Sequence, residues 1–410
     1  MSYILLLLPF SLFFKEFVPD LIVTISVCYY VWLLFLHKFS TIIEFVNLKY
    51  FNWKMFYFYF AFLLVIILSS LLSDNVFFSI KSSIFYVRFA LFGLFFIYAL
   101  NKHPNLSRYF CYALLGAFIF LIIDTYTQFI TGKDLFLKVS YNACQVTGVF
   151  DRPRIGSYLS RTYPLLIGLI FVNFKNTNKN FLLISVLFII IDVLVFITGE
   201  RTSFFYMLLS SCVIILLINK FKTLRIITLC LSIILIALIV KYSPTVKNRM
   251  IDATLQQTGI NTEHINIFSP AHESHMKTAL NMFLDKPILG HGPNMFRIKC
   301  LDPKYVTGVM PCNTHPHNFY VQLLAETGIL GFSFLFGLFC YVVYLVIRQF
   351  HSIIFNKNKR YLTDYQVCLL AGMLIAVWPF TPNGNFFNGT LALFYTLPFI
   401  FFIQSKYKQK

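Results

Sequence analysis

The sequence predicts an all-α polytopic membrane protein that crosses the bilayer about twelve times, each crossing using roughly 20 apolar residues. Three observations carry this expectation. First, 58% of the 410 residues are hydrophobic and only 12% are charged, with a mean hydropathy of +0.73. Soluble domains run about 45–50% apolar and about 25% charged, so this chain has too little polar surface to cover a water-facing globule. Second, the apolar residues arrive in blocks such as Leu64-Val65-Ile66-Ile67-Leu68 and Ile233-Ile234-Leu235-Ile236, for which a bilayer is the suitable solvent. Third, Lys and Arg segregate into alternate loops. The net charge of +18 therefore reads as a record of membrane orientation, and no nucleic-acid partner is expected.

Taken in order, the expected spans are 3–17, 20–37, 56–72, 83–100, 109–130, 155–172, 181–198, 203–219, 225–241, 317–349 (its later part), 365–381 and 389–403. Each is an apolar block bounded by charged or turn-forming residues. The first is short. It lacks a small-residue cleavage site before Lys15-Glu16, and Pro19-Asp20 turns the chain into the second span, so it reads as a retained helix.

The loops 38–54, 101–108, 173–180, 219–225 and 348–362, together with the C-terminal tail, hold 17 of the 34 basic residues. With twelve spans they fall on one face, which is expected to be cytoplasmic together with both termini. Most loop carboxylates fall opposite: Asp74, Asp134, Asp151, Glu200, Asp252, Glu263, Glu273, Asp285 and Asp302, against Glu44 and Asp364 inside. The chain then divides into spans one to nine (1–241), a large outer loop expected to form an ordered subdomain (242–316), and spans ten to twelve with a cytoplasmic tail (317–410). Within the loop, Met276, Leu280, Phe283 and Leu284 recur at helical spacing, and Pro287, Gly290 and Gly292 follow as a stop.

Six of the nine cysteines fall in spans and read as small buried hydrophobes. Cys300 and Cys312, twelve residues apart in the large outer loop, are expected to form a disulfide in an oxidising compartment. A zinc site made of Cys300, Cys312, His315 and His317 is the competing reading, but no CxxC pair accompanies them.

His315-Pro316-His317-Asn318 closes the large loop and is followed by Gln322 and Glu326. A single histidine there could be an interface residue. Two imidazoles, an amide and a carboxylate within twelve residues are more polar than a lipid-facing helix tolerates, which points to a cavity-lining site. An imidazole is also the usual general base for a hydroxyl near neutral pH. Arg201 stands in the outer turn Gly199-Glu200-Arg201-Thr202, where it either pairs with Glu200 or presents its planar fork to a phosphate. Arg152, Arg154 and Arg161 surround Gly156-Ser157-Tyr158. Arg161 lies inside the outer end of a span, where an unpaired charge is expensive unless an anion meets it. Arg88, Asp124 and Asp192 also fall within spans and can pair with one another. No DxD-like carboxylate pair is present at the outer mouth to hold Mg²⁺ on a diphosphate.

At these residues the sequence resembles the bacterial O-antigen ligase / O-antigen polymerase (Wzy C-terminal) family. The motif is His317-Asn318, nine residues, Gly328, two residues, Gly331, within THPHNFYVQLLAETGILGF. Supporting segments are Gly199 to Thr202, Ala279 to Cys300, Gly156 to Leu159 with Arg161 and Pro164, and PFTPNGNFFNG (Pro379 to Gly389). The resemblance covers roughly the C-terminal two-thirds and is closest to the ligases.

The resemblance implies a GT-C-like helical glycosyltransferase on the periplasmic side of the bacterial inner membrane. Such an enzyme transfers polysaccharide from undecaprenyl diphosphate to a sugar hydroxyl of lipid A-core, with inversion and without metal, ATP or other cofactor. It assigns His317 as the general base and Arg161 and Arg201 to the leaving diphosphate, with Arg154 of the first long outer loop as a further candidate for the same anion. His315, Asn318, Glu326, Glu200 and His272 support them. The ligases carry a further arginine early in the large-loop helix, where this chain has Ala271-His272-Glu273-Ser274-His275 with Lys277. His272, Lys277 or Arg297 is the expected substitute. The alternatives are a repeat-unit polymerase using the same donor and, from another class, a flippase for a lipid-linked sugar. A flippase predicts inverted repeats and midplane binding, and no repeat is visible.

Overall fold

The computed structural model describes residues 1–14, 17–36, 53–140, 144–174, 178–220, 222–258, 268–355 and 360–407. Of the charges used for the orientation, Lys38, Glu44, Lys49, Lys175, Glu263, Lys357, Lys359, Lys408 and Lys410 lie outside these residues. Among the described residues the chain is helical and has no strand, only an isolated bridge between Lys133 and Val139.

A 3-10 turn (Ser2–Leu7) leads into α1 (Leu8–Ser11), and α2 (Phe17–Leu36), α3 (Trp53–Leu71), α4 (Val76–Lys102), α5 (Leu106–Thr131), α6 (Ile155–Asn173), α7 (Asn178–Ile197), α8 (Arg201–Leu217) and α9 (Lys222–Tyr242) follow. The large loop contains α10 (Pro244–Lys247), a π-helical turn (Asn248–Asp252), α11 (Ala253–Thr258), α12 (Pro270–Asp285) and α13 (Phe296–Lys299). The chain ends with α14 (Phe319–Phe355), α15 (Asp364–Ala376) and α16 (Gly389–Tyr407).

Every expected span contains helix. Among the described residues six helices, α2, α4, α5, α6, α9 and α14, are long and apolar enough to cross a membrane. The others are shorter or less apolar, and the first, at Ser2–Ser11, is about half the roughly 20 residues a straight crossing needs.

The core is built around α6 and α15, which pack on each other and against α8. In α6 83% of the most apolar stretch is buried, against 17% in the peripheral α9. At Gly372 of α15, the ring of Pro398 from α16 and that of Pro164 from α6 approach to 3.3 and 3.6 Å of where a Cβ would sit, so glycine lets the three helices close tightly and a larger residue would push Pro398 back by a few tenths of an ångström.

Three of the charges within the helical bundle are satisfied by the fold itself. Arg225, read above as a cytoplasmic loop cation, instead lies inside α9 at 2% exposure. Its guanidinium donates to both carboxylate oxygens of Asp192 (2.8 and 2.9 Å), to Ser211 Oγ and to Thr228 Oγ1. Arg88 pairs with Asp20 at 2.7 Å. Asp124 accepts the amides of Leu135 and Val149 (3.0 and 2.6 Å) and so folds the first outer loop.

The large loop has a core of its own, in which Ala279, Met282, Phe296, Cys300 and Tyr305 pack against Ala325 of α14. Helix α14 breaks at Gly328 (φ 62°), where a Cβ would strike the Ile288 carbonyl. Segment 287–292 fills the break. The amides of His291 and Gly292 donate to the carbonyls of Ala325 and Glu326, while those of Ile329 and Leu330 donate to the carbonyls of Pro287 and Ile288.

Candidate functional site

The site begins with the entry into α14. Asn318 caps that helix by accepting the amides of Tyr320 and Val321, and its own Nδ2 donates to the Pro379 carbonyl. His317, just before the cap, takes a left-handed backbone conformation (φ 59°) that is uncommon for any residue but glycine. The Asn383 amide donates to the His317 carbonyl at 2.7 Å, so the turn carrying the histidine is clamped to the segment between α15 and α16.

Around the His317 ring stand three more imidazoles, with centroids at 4.2 Å for His315, 4.8 Å for His272 and 5.3 Å for His275. Burial, and then the neighbouring imidazoles, pushes His317 down to about 3. Burial likewise pushes His315 down to about 4, and His272 and His275 are lowered for the same leading reason. The His317 ring is therefore a neutral base at neutral pH. Asn313 Nδ2 donates to its Nε2 (3.1 Å), while Asn313 Oδ1 is held by the Thr314 amide (2.6 Å). In this arrangement Nε2 carries the lone pair and Asn313 occupies it.

Asn383 joins this base to a cation. Its Oδ1 accepts from Arg161 Nη2 (3.3 Å) and from the Tyr206 hydroxyl (2.7 Å). Arg161 is 6% exposed, and its guanidinium lies over the rings of Tyr206 (4.8 Å) and Tyr395 (5.6 Å). Its Nε donates to Ser157 Oγ, and among the described residues its Nη1 has no partner. No carboxylate lies within ion-pair distance of it among the described residues, Glu200 acting on it only through space, so one face of the guanidinium is left for an anion.

The other expected residues separate into distinct roles. Glu200 does not pair with Arg201: its carboxylate accepts the Gly156 and Ser157 amides and Ser203 Oγ, capping α6 from another segment. Arg201 turns towards the large loop, donating to the Arg249 carbonyl (3.2 Å) and to Gln257 (2.6 Å). Glu326 does not line a cavity. It is fully buried, holding the Phe296 amide (3.0 Å) and Gln322 Nε2 (2.9 Å), and thereby pins the large loop to α14. Cys300 and Cys312 are joined in a disulfide, with Cα atoms 4.9 Å apart, immediately before Asn313.

Arg154 and His315 face a cavity of about 870 Å³, together with Lys81, Arg88 and Arg297 and with aromatic residues of α4. Of the three residues considered as the missing loop cation, Lys277 is engaged with Glu273 (2.7 Å), His272 joins the imidazole group and Arg297 lines the cavity. Among the described residues no three His, Cys, Asp or Glu side chains converge as a metal-binding set.

The sequence reading did not single out Asn383, Tyr206, His275, Asn313 or Arg249. Asn383 lay inside the quoted PFTPNGNFFNG segment, whose density of small and amide residues beside a span was the one available signal.

No curated protein matches the chain. A family model described as O-antigen ligase matches residues 183–336, which takes in the Gly199–Thr202 turn, the large loop and the motif from His317 to Gly331. This match supports a glycosyltransferase-like enzyme of the O-antigen ligase or polymerase kind, embedded in a membrane by several apolar helices and acting on lipid-linked polysaccharide. Residues 183–336 therefore match the O-antigen ligase family, the one that the chain's motifs resemble.

Proposed function

We propose that the protein is an O-antigen ligase, a metal-independent inverting glycosyltransferase on the periplasmic face of the inner membrane. It transfers polysaccharide from undecaprenyl diphosphate to a sugar hydroxyl of lipid A-core. The observation that carries this reading is the bridge of Asn383 between Arg161 and His317, which sets an unpaired buried cation beside a neutral base. The family match over residues 183–336 adds to it. In the reaction the acceptor hydroxyl displaces the Asn313 amide from His317 Nε2 and gives its proton to that nitrogen as its oxygen attacks the anomeric carbon. The bond from that carbon to the diphosphate oxygen breaks, and Arg161, with Arg201 and Arg154, takes up the charge of the departing lipid diphosphate. Both termini are cytoplasmic in this reading, the twelve spans form a GT-C-like bundle, and Cys300–Cys312 holds the loop that presents Asn313.

Deletion of the gene in a smooth Gram-negative host tests the reading. Polymer absent from lipid A while lipid-linked polymer accumulates is the expected result. Lipid A-core capped with a single repeat unit assigns the protein as a polymerase instead. Complementation with His317→Ala, present in the membrane at normal amount, is expected to restore no transfer, and restored transfer moves the base elsewhere, His315 first.

A further inference from the structure

We infer that Arg249, on the π-helical turn of the large loop, is a second guanidinium for the phosphoanion of the lipid-linked donor, forming a paired fork with Arg201. The inference rests on the donor class proposed above. Each arginine spends its Nε on the other's backbone neighbourhood: Arg201 Nε donates to the Arg249 carbonyl (3.2 Å) and Arg249 Nε donates to the Gly199 carbonyl (3.2 Å). This reciprocal pair locks the two stems side by side and leaves three of the four terminal nitrogens without a partner among the described residues. Arg201 Nη1 reaches Gln257, Arg201 Nη2 is buried without a partner, and neither terminal nitrogen of Arg249 makes a hydrogen bond among the described residues.

Two positive charges held together repel, and among the described residues no carboxylate forms an ion pair with either. The carboxylate adjacent in sequence, Glu200, is consumed by the Gly156 and Ser157 amides and Ser203. No other carboxylate of the described residues lies within ion-pair distance of either guanidinium. Both guanidinium groups are only partly buried, so an anion from solvent can reach them and offset the repulsion.

The close approach is built into the backbone. Gly199 has φ 73°, and a Cβ there would lie 2.9 Å from the Cys144 carbonyl and 3.2 Å from Arg249 Cγ. A π-helical turn, an uncommon element that tends to occur at functional sites, carries Arg249 itself. Two planar forks side by side match the several oxygens of a phosphoanion better than a single carboxylate. The pair sits at the start of α8, about 7.5 Å along the helix from Tyr206, which touches the Arg161–Asn383 bridge.

The test uses purified full-length protein in detergent, with inorganic pyrophosphate as probe and a lipid-linked oligosaccharide as donor. Arg249→Gln is expected to weaken pyrophosphate binding, read by calorimetry, by about tenfold, a loss of about 1.4 kcal/mol. It should raise the KM for the donor by a similar factor with kcat changed less than about twofold. Arg249→Lys, which keeps the charge but not the fork, should fall between Gln and wild type. Unchanged pyrophosphate binding in both variants, or no binding to the wild type, overturns the inference. Pyrophosphate binding that depends on Arg249 in a protein that transfers no glycan upholds the anion site and overturns the ligase reading.

Discussion

Two arginines are buried in the helical bundle, and their surroundings differ in kind. Arg225 meets Asp192 through both terminal nitrogens and adds Ser211 and Thr228, so its charge is neutralised inside the fold. Arg161 meets an amide oxygen, a hydroxyl and two aromatic faces, and keeps a terminal nitrogen without a partner among the described residues. The first environment is complete without a ligand. The second is a guanidinium desolvated and oriented but without a direct ion-pair partner among the described residues, a state in which a cation strongly stabilises an incoming anion.

The sharpest way to break this comparison is to exchange the consequences. Asp192→Ala leaves Arg225 buried and unpaired and should cost about 3–5 kcal/mol of stability, seen as a lowered midpoint of thermal unfolding in detergent. If the protein tolerates it without loss, the Arg225 environment is not a structural pair. Arg161→Ala should do the reverse. It should leave the unfolding midpoint within a few degrees of wild type and lower kcat for polymer transfer by about 10²–10³-fold, the cost typical of removing one stabilising donor from a developing charge. A large fall in stability with little change in kcat would make Arg161 the structural partner instead.

A smaller effect concerns pH. Because His317 is held down to about 3, transfer should stay nearly level from pH 7 to pH 5, and a fall centred near 6.5 would show a solvated imidazole. The folded protein binds this proton less readily than the unfolded chain, whose histidines titrate near 6.5. The contribution of His317 to stability is therefore whole above about pH 6.5 and is lost as pH falls towards about 3.

The helical, membrane-embedded class was legible because apolar blocks and scarce charge are additive properties of the chain. The α12 helix was legible from Ser274 to Leu284 for a similar reason, its apolar spacing being local, although the structure begins it at Pro270 under the cap of Ser269. What depends on partners distant in sequence was not legible. Arg225 looks like any loop cation until Asp192, 33 residues away, is placed beside it. Glu200 and Glu326 have the chemistry of catalytic carboxylates, yet both bind backbone amides of other segments. The Arg161–Asn383 contact spans 222 residues, and nothing local in either motif announces it.

The break at Gly328 fixes an order of events. Residues 287–292 leave the ribosome before α14, but the carbonyls that receive two of their amides belong to Ala325 and Glu326, which are made later. A loop so arranged has no finished hydrogen bonding until α14 is in place, and the clamp on His317 waits longer still, for Asn383 beyond α15. The candidate active site is thus among the last parts of the molecule to assemble, and a chain halted before α15 carries the histidine without the geometry that makes it useful.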